Sequence, residues 1–151
     1  MAPTTTSKPI FSGRYVHGLD PKKRVTIPAD WRAEGHEQYY IIPHQSGGCL
    51  VVMPPDEFER MKQTVESKDV PEEKRRMFLR EFYSRSEHVV SDKQGRLLLS
   101  EEHCKRIGLE GEEVVMLGGA TRFEIWNPKR REAMQAEHDA VFQELAGGMG
   151  L

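Results

Sequence analysis

The sequence predicts an α+β fold: two β-rich repeats in tandem, a helical hairpin between them and a helix at the C-terminal end. Three observations predict it. The first is an internal duplication, the signature of a fold built from one unit used twice. Asp20-Pro-Lys-Lys-Arg24-Val-Thr-Ile-Pro28 returns further along the chain as Asp92-Lys-Gln-Gly-Arg96-Leu-Leu-Leu-Ser100. Phe11-Ser-Gly-Arg14 returns as Phe82-Tyr-Ser-Arg85, and Cys49-Leu-Val-Val-Met-Pro-Pro55 aligns with Arg122-Phe-Glu-Ile-Trp-Asn-Pro128 at nearly the same spacing. The second is a pair of proline-opened segments with helical apolar spacing between the copies. The third is the Asn127-Pro128 pair, a helix cap and a first-turn proline ahead of the final stretch.

The elements follow in order. Residues 1–10 are rich in Thr, Pro and Ser with no apolar run, and are expected to form a disordered arm rather than a signal peptide. The first repeat spans 11–57. Arg14 to Leu19 reads as a strand that Asp20-Pro21 breaks. Val25 and Ile27 alternate with Arg24 and Thr26, a half-buried strand that Pro28 ends. Ala29 to Gly35 reads as a short helical turn. Tyr39–Ile42 and Leu50–Met53 are apolar strands, and the loop chemistry of residues 43–48 makes them a hairpin.

The linker spans 58–84. Phe58, Met61 and Val65 fall on one helical face, and Pro71 opens a second helix on which Met77, Phe78 and Phe82 share a face. Its many charges are most simply a solvated face. The second repeat spans 85–130. Its strands centre on Val89–Val90, Leu97–Leu99, Val114–Leu117 and Phe123–Trp126. Ser100 caps a short helix that Gly108 ends. Residues 131–151 are the C-terminal helix and tail, with Met134, Val141 and Leu145 on one side. Phe58, Met61 and Val65, together with Met134, Val141, Phe142 and Leu145, exceed what one small core consumes. They are expected to serve contacts between copies.

Composition bounds the function. Each repeat core is roughly 45 residues, short for a core of its own, so the copies should fold against each other. Hydrophobic residues make up 37 % and charged residues 30 % of the chain. No apolar run approaches the roughly 20 residues that span a bilayer. Cys49 and Cys104 are the only thiols, with no CxxC, a pattern of reducing surroundings. The net charge of −2 is unlike the usual basic nucleic-acid binder, but it is unevenly spread. Arg14, Lys22, Lys23 and Arg24 face only Asp20 in the stretch 14–24, a surplus of three positive charges.

Two Asp-x-x-x-Arg elements, each opening an apolar strand, flanked by Phe-x-x-Arg and separated by a charged helical hairpin, resemble the MraZ family. The resemblance covers Phe11 to the final helix, including Phe123-Glu-Ile-Trp126. It implies tandem swapped-hairpin, β-barrel-like repeats of the SpoVT-AbrB type. It further implies a cytoplasmic, nucleoid-associated transcriptional regulator, expected to act as a repressor. Such a protein would bind double-stranded DNA at repeated promoter boxes of the division and cell-wall gene cluster, as a homo-oligomeric ring. Two positions depart from the family pattern. Lys23 stands where a Gly precedes the motif Arg, as Gly95 does in the second copy, so the first loop is expected to differ in shape. Ser100 replaces the proline seen at Pro28.

The motif suits DNA. Asp20 and Asp92 can accept backbone N–H bonds two or more residues on and so structure a loop, and Gly95 supplies a turn. Arg24 and Arg96 have two readings: each locks its loop by pairing with the Asp, or each contacts DNA. Beside Lys22 and Lys23, DNA contact is the better reading for Arg24; for Arg96, in a loop with Lys93 alone, the lock is. Arginine can bond guanine through two parallel hydrogen bonds, and lysines act as point charges on phosphate. The candidate DNA-binding residues are thus Arg14, Lys22, Lys23, Arg24, Arg85, Lys93 and Arg96.

Other chemistry finds no footing. His17, His36, His44, His88, His103 and His138 show no zinc spacing, Gly118-Gly119 is no P-loop, and no catalytic constellation or cofactor site emerges. The expectation is a non-enzyme without metal, cofactor, membrane or small-molecule substrate. The rival reading is an antitoxin-like or purely structural partner-binding ring without a DNA role. Antitoxins of this hairpin type usually carry one copy and a long disordered tail.

Overall fold

The computed structural model describes residues 10–32 and 37–151. Of the arm expected at 1–10, residues 1–9 lie outside the described residues, as do residues 33–35 of the turn expected at 29–35, and His36. Among the described residues, eight strands and four α-helices follow one another in the anticipated order. The first repeat supplies β1 (Arg14–Gly18), β2 (Arg24–Thr26), a 3₁₀ turn (Ala29–Trp31), β3 (Gln38–Pro43) and β4 (Cys49–Met53). The linker supplies α1 (Pro55–Glu66) and α2 (Glu72–Arg85). The second repeat supplies β5 (Glu87–Val90), β6 (Arg96–Leu98), α3 (Glu101–Arg106), β7 (Glu113–Gly118) and β8 (Phe123–Trp126). The chain closes with α4 (Pro128–Gly148). The helices thus include 55–57 and 85, which the sequence division gave to the repeats, and α4 opens at Pro128 behind its Asn127 cap, as the sequence indicated, ahead of the division at 131.

The two repeats are interlocked. Six antiparallel strands form one sheet in the order β1-β7-β8-β4-β3-β5, and β2 pairs with β6 in a separate ribbon. Exchanging the repeats maps this order onto its own reverse. Each first strand sits on the other repeat's hairpin: β1 on β7, β5 on β3. The register carries the duplication at residue level. Val25 pairs with Leu97, and Val51 pairs with Glu124. Each pair joins a residue to its own counterpart in the other repeat, so both lie on the pseudo-two-fold axis.

One core lies between sheet and ribbon. Val25, Ile27 and Trp31 of the first repeat meet Leu97, Leu99 and Ile107 of the second, with Phe11, Tyr39 and Phe123 filling the centre. Trp31 and Phe123 ring centres lie 5.0 Å apart and Phe11 is 5.1 Å from Phe123. Neither repeat could bury this set alone, which is why two short copies suffice. Close backbone approach fixes Gly118: a Cβ there would lie 2.5 Å from the Phe11 carbonyl oxygen.

The expectation that Phe58, Met61 and Val65 stay free for other copies is corrected. Val65 is buried. Phe58 and Met61 pack with Val51, Met53 and Phe82, and Phe58 stacks on Tyr40 with ring centres 4.0 Å apart. The outer face of β4, apolar throughout, needs that cover. Met134 also packs inward, against Cys49, Val115 and Trp126. On the helices, Met77, Phe78 and Tyr83 of α2 and Val141, Phe142 and Leu145 of α4 stay exposed, as does Met149 just after α4.

Candidate nucleic-acid interface

The ribbon of β2 and β6 positions the site. Strand alternation turns Val25 and Leu97 fully inward, so Arg24, Thr26, Arg96 and Leu98 share the outer face. Arg24 lies opposite Leu98, and Thr26 opposite Arg96. The two arginines are therefore diagonal neighbours, about 7–8 Å apart. Antiparallel pairing puts the loop 20–24 at one end of the ribbon and the loop 92–96 at the other.

The loops have the same shape. In the first, Lys23 N–H donates to Asp20 O at 2.9 Å and Asp20 N–H to Arg24 O at 3.0 Å; in the second, Gly95 N–H donates to Asp92 O at 2.9 Å and Asp92 N–H to Arg96 O at 3.0 Å. The Asp20 carboxylate accepts the N–H of Lys22 at 2.9 Å and of Arg24 at 2.8 Å. Asp92 accepts those of Gln94 and Arg96, both at 2.9 Å. A left-handed residue completes each turn: Lys23 at φ 65° and Gly95 at φ 75°. The expected difference in loop shape is thus corrected. The aspartate bonds and the ladder dictate the path, and Lys23 adopts a strained φ to follow it.

Why glycine stands only at 95 also follows from packing. A Cβ on Gly95 would lie 2.6 Å from Arg32 Cδ and Nη1. Arg32 is fixed there, donating from Nε to Ile27 O at 2.9 Å and from Nη1 to Gln94 O at 3.1 Å. The correspondence between the loops, carried forward, maps Arg32 to Cys104, which has no guanidinium, so the first loop has room for a side chain. Each loop is also tied to the other repeat: Ile27 N–H donates to Gly95 O at 2.8 Å and Leu99 N–H to Lys23 O at 2.9 Å.

Arg24 Nε donates to Asp20 Oδ2 at 2.7 Å, and Arg96 Nε to Asp92 Oδ2 at 2.7 Å. The lock therefore forms in both loops, where the sequence favoured it for Arg96 alone. It leaves the other reading in place, because only Nε is used. Among the described residues, Nη1 and Nη2 of both arginines have no partner, and both side chains are 29 % exposed. Backbone N–H bonding, from Arg24 above all, holds the Asp20 carboxyl below the usual carboxylate range; partial desolvation opposes this and the Arg24 guanidinium adds to it. The Arg96 N–H and guanidinium do the same for Asp92. Both loops thus stay anionic at the centre and cationic at the rim, with Lys22 and Lys93 exposed.

Arg14 and Arg85 stand elsewhere. Arg14 opens β1, six extended residues or about 20 Å before Asp20. Arg85 ends α2, with Nη2 3.6 Å from Glu81. The structure gathers Lys22, Lys23, Arg24, Lys93 and Arg96 around the ribbon and does not bring these two to it. Sequence reasoning passed over Thr26, Leu98 and Arg32. The alternation about Val25 and Leu97 was signal enough for Thr26 and Leu98, whereas Arg32 shows its role only through a contact with Gln94, 62 residues away.

These features define a class: a chain of two interlocked hairpin repeats with an arginine-bearing, loop-flanked ribbon on its surface. Comparison with known proteins narrows it. The family described as "MraZ protein, putative antitoxin-like" matches twice, over residues 10–81 and 82–147. "Transcriptional regulator MraZ" of Desulforamulus reducens is 33 % identical over 137 residues, covering 91 % of this chain and 95 % of that one. Its namesake in Clostridium beijerinckii is 33 % identical over 140 residues, 93 % and 96 % of the two chains. The one in Syntrophobacter fumaroxidans is 31 % identical over 149 residues, 95 % and 99 %. The chain belongs to the MraZ family.

Proposed function

We propose that this protein is a sequence-specific DNA-binding transcriptional regulator, acting as a repressor on repeated promoter boxes of the division and cell-wall gene cluster. The observation that carries the reading is the ribbon's outer face. Two arginines with free Nη groups lie side by side, each braced by an aspartate, and Lys22, Lys23 and Lys93 stand at the flanking loops. Bracing removes the rotamer freedom that an arginine otherwise loses on binding, as DNA recognition through two parallel hydrogen bonds requires. The relatives' shared name, transcriptional regulator, points the same way. Cytoplasmic, nucleoid-associated residence goes with this role.

One protomer offers about four phosphate contacts, too few for tight binding at cellular salt. Several copies in a ring multiply them through effective concentration. The exposed apolar residues at the end of α4 and on α2 are suited to that assembly. Their charges are complementary: α4 has no Lys or Arg after Arg131 but carries Glu132, Glu137, Asp139 and Glu144, while α2 carries Lys74, Arg75, Arg76, Arg80 and Arg85 against three glutamates. Head-to-tail contacts of this kind close into rings. Against the antitoxin-like reading, the C-terminal stretch is a helix capped by Asn127, whose Oδ1 accepts Lys129 N–H at 2.9 Å.

The test is a gel-shift assay on the DNA upstream of the protein's own coding sequence, with a salt titration. Shifted bands whose affinity falls steeply with salt are expected, along with loss of binding in Arg24→Ala and Arg96→Ala. Equal binding by wild type and both variants would remove the ribbon as the DNA face.

A further inference from the structure

We propose that Leu98 and Thr26 read base edges, Leu98 against a thymine methyl group, and that their difference gives the ribbon a direction along DNA. This rests on the DNA-binding reading above. The outer face consists of four side chains on two rungs, Arg24 with Leu98 and Thr26 with Arg96. The pseudo-two-fold exchanges Arg24 with Arg96, which are chemically identical, and Thr26 with Leu98, which are not. On these two rungs the arginines carry the symmetry, and Thr26 and Leu98 carry the asymmetry.

Leu98 is 56 % exposed, although its neighbours Leu97 and Leu99 and the cross-strand Val25 are buried. A single exposed leucine is ordinary on a protein surface. Its place is not: it lies directly across from Arg24 and two residues along from Arg96, at the middle of the cationic face. A two-stranded ribbon fits the major groove. Residues i and i+2 of a strand are about 6.8 Å apart, close to two base-pair steps of about 3.4 Å each. The two rungs therefore address base pairs two steps apart. With an arginine on guanine in each rung, the neighbouring side chain faces the adjoining base edge. Leucine has no hydrogen-bond donor or acceptor, and the only matching group in the major groove is the thymine C5-methyl. Thr26 can donate, accept or contact a methyl, so its half of the face reads differently. The lysines fix phosphate and carry no base information.

The experiment uses the full chain and duplexes that it selects from a random pool. Each thymine of a selected box is then replaced by uracil, which removes only the C5-methyl. Wild type is expected to lose affinity by about fourfold, the worth of one buried methyl-sized group, at one thymine and not at its two-fold mate. Leu98→Ser should lose a similar factor on the intact box and become blind to that uracil, while Leu98→Ile retains the response. Thr26→Leu should gain a second sensitive position, on the opposite strand about two base pairs away. If Leu98→Ser selects the same box with the same methyl dependence, the inference is overturned while the DNA reading stands. If Leu98→Ser changes only the mass of the assembly, Leu98 belongs to a contact between copies and the inference is likewise overturned. If wild type selects no sequence and shows no salt-dependent binding, the DNA reading itself fails and takes the inference with it.

Discussion

Lys23→Gly should make the protein more stable and a poorer DNA binder at once. Lys23 sits at φ 65°, a left-handed conformation that costs an L-residue about 1–2 kcal/mol. Glycine adopts it without strain but gives the unfolded chain more freedom, a cost of about 0.5–1 kcal/mol. The difference leaves Lys23→Gly more stable by about 0.5–1 kcal/mol, which for a chain of this size raises Tm by about 1–4 °C. The loop should keep its shape, since Gly95 holds the same turn at φ 75°. The binding arm has the opposite sign. Losing one phosphate contact per protomer lowers the slope of log affinity against log salt by about 0.9 for each copy engaged. Thermal unfolding by circular dichroism at fixed protein concentration reads the first effect, and a salt titration of DNA binding reads the second. The reciprocal change is a control. Gly95→Lys adds the strain and drives a Cβ into Arg32, breaking two hydrogen bonds worth about 1 kcal/mol each. With the freedom of the unfolded glycine removed, it should cost about 2.5–3 kcal/mol and lower Tm by about 5–12 °C. A Tm that falls or stays put in Lys23→Gly would refute the argument, because it would mean that Lys23 is held by contacts rather than tolerated for its charge.

Three further outcomes follow from the structure. Cys49 and Cys104 are both buried as free thiols, and burial pushes both thiol pKa values up, so neither should react with a thiol reagent at pH 8 until the protein unfolds; native-state labelling would contradict the packing. Asp20 and Asp92 have carboxyl pKa values below their ordinary 3.8, so their stabilisation is complete above that value and is lost as pH falls through the lower folded values. Thermal scans from pH 7 to pH 3 should therefore show an acid limb that Asp20→Asn with Asp92→Asn makes shallower, and an unchanged limb would assign it to other carboxylates. Phe142, 64 % exposed near the end of α4, should be needed for assembly, so Phe142→Asp should lower the mass seen by light scattering without lowering helix content; an unchanged mass would exclude that end of α4 from the interface.

Much of this was legible in the sequence because the chain repeats itself. Strands and caps are short-range signals: Ser100 accepts His103 N–H at 3.0 Å, Gly108 ends α3 at φ 69°, and Asn127-Pro128 opens α4. Ser100 in place of Pro28 also has its reason, since it caps a six-residue helix where the proline precedes only a 3₁₀ turn. The inside and outside of the linker were less legible. Phe58 and Met61 show helical periodicity, but periodicity marks an apolar face and not what covers it; β4, buried along its whole length, takes that face. The site was half legible. The Asp-x-x-x-Arg loops announced themselves, yet their equivalence was hidden by Lys23, whose side chain suggests a different turn. Thr26 and Leu98 could be placed on the outer face from the alternation alone, though not their partners across the ribbon; Arg32 depends on a contact between one repeat and the other, and no local pattern encodes a contact so distant along the chain.

The duplication also bears on what the ribbon can recognise. Two identical single-repeat chains joined in this way would present a symmetric face, and a symmetric face reads the two strands of DNA alike. Fusing the copies into one chain lets each position change alone. Lys23 and Gly95 have diverged, as have Lys22 and Gln94, and Thr26 and Leu98. Asp20 with Arg24 and Asp92 with Arg96 instead keep the same pair of bonds, one from the arginine N–H and one from its Nε. The retained pairs build the loops; among the diverged positions Lys22, Gln94 and Leu98 are exposed, while Gly95 is buried against Arg32. A face with direction can be met by short boxes repeated in one orientation, which suits copies arranged head to tail around a ring. Boxes spaced by about one helical turn, about 10 to 10.5 base pairs, then present the same side to successive protomers. Inserting about half a turn between boxes should drop affinity toward the single-box value, since effective concentration is lost when two sites cannot be engaged together. Inserting a full turn should cost less. Equal affinity for native, half-turn and full-turn spacings at fixed salt would show that each ribbon binds alone, and the link between polarity and assembly would fail.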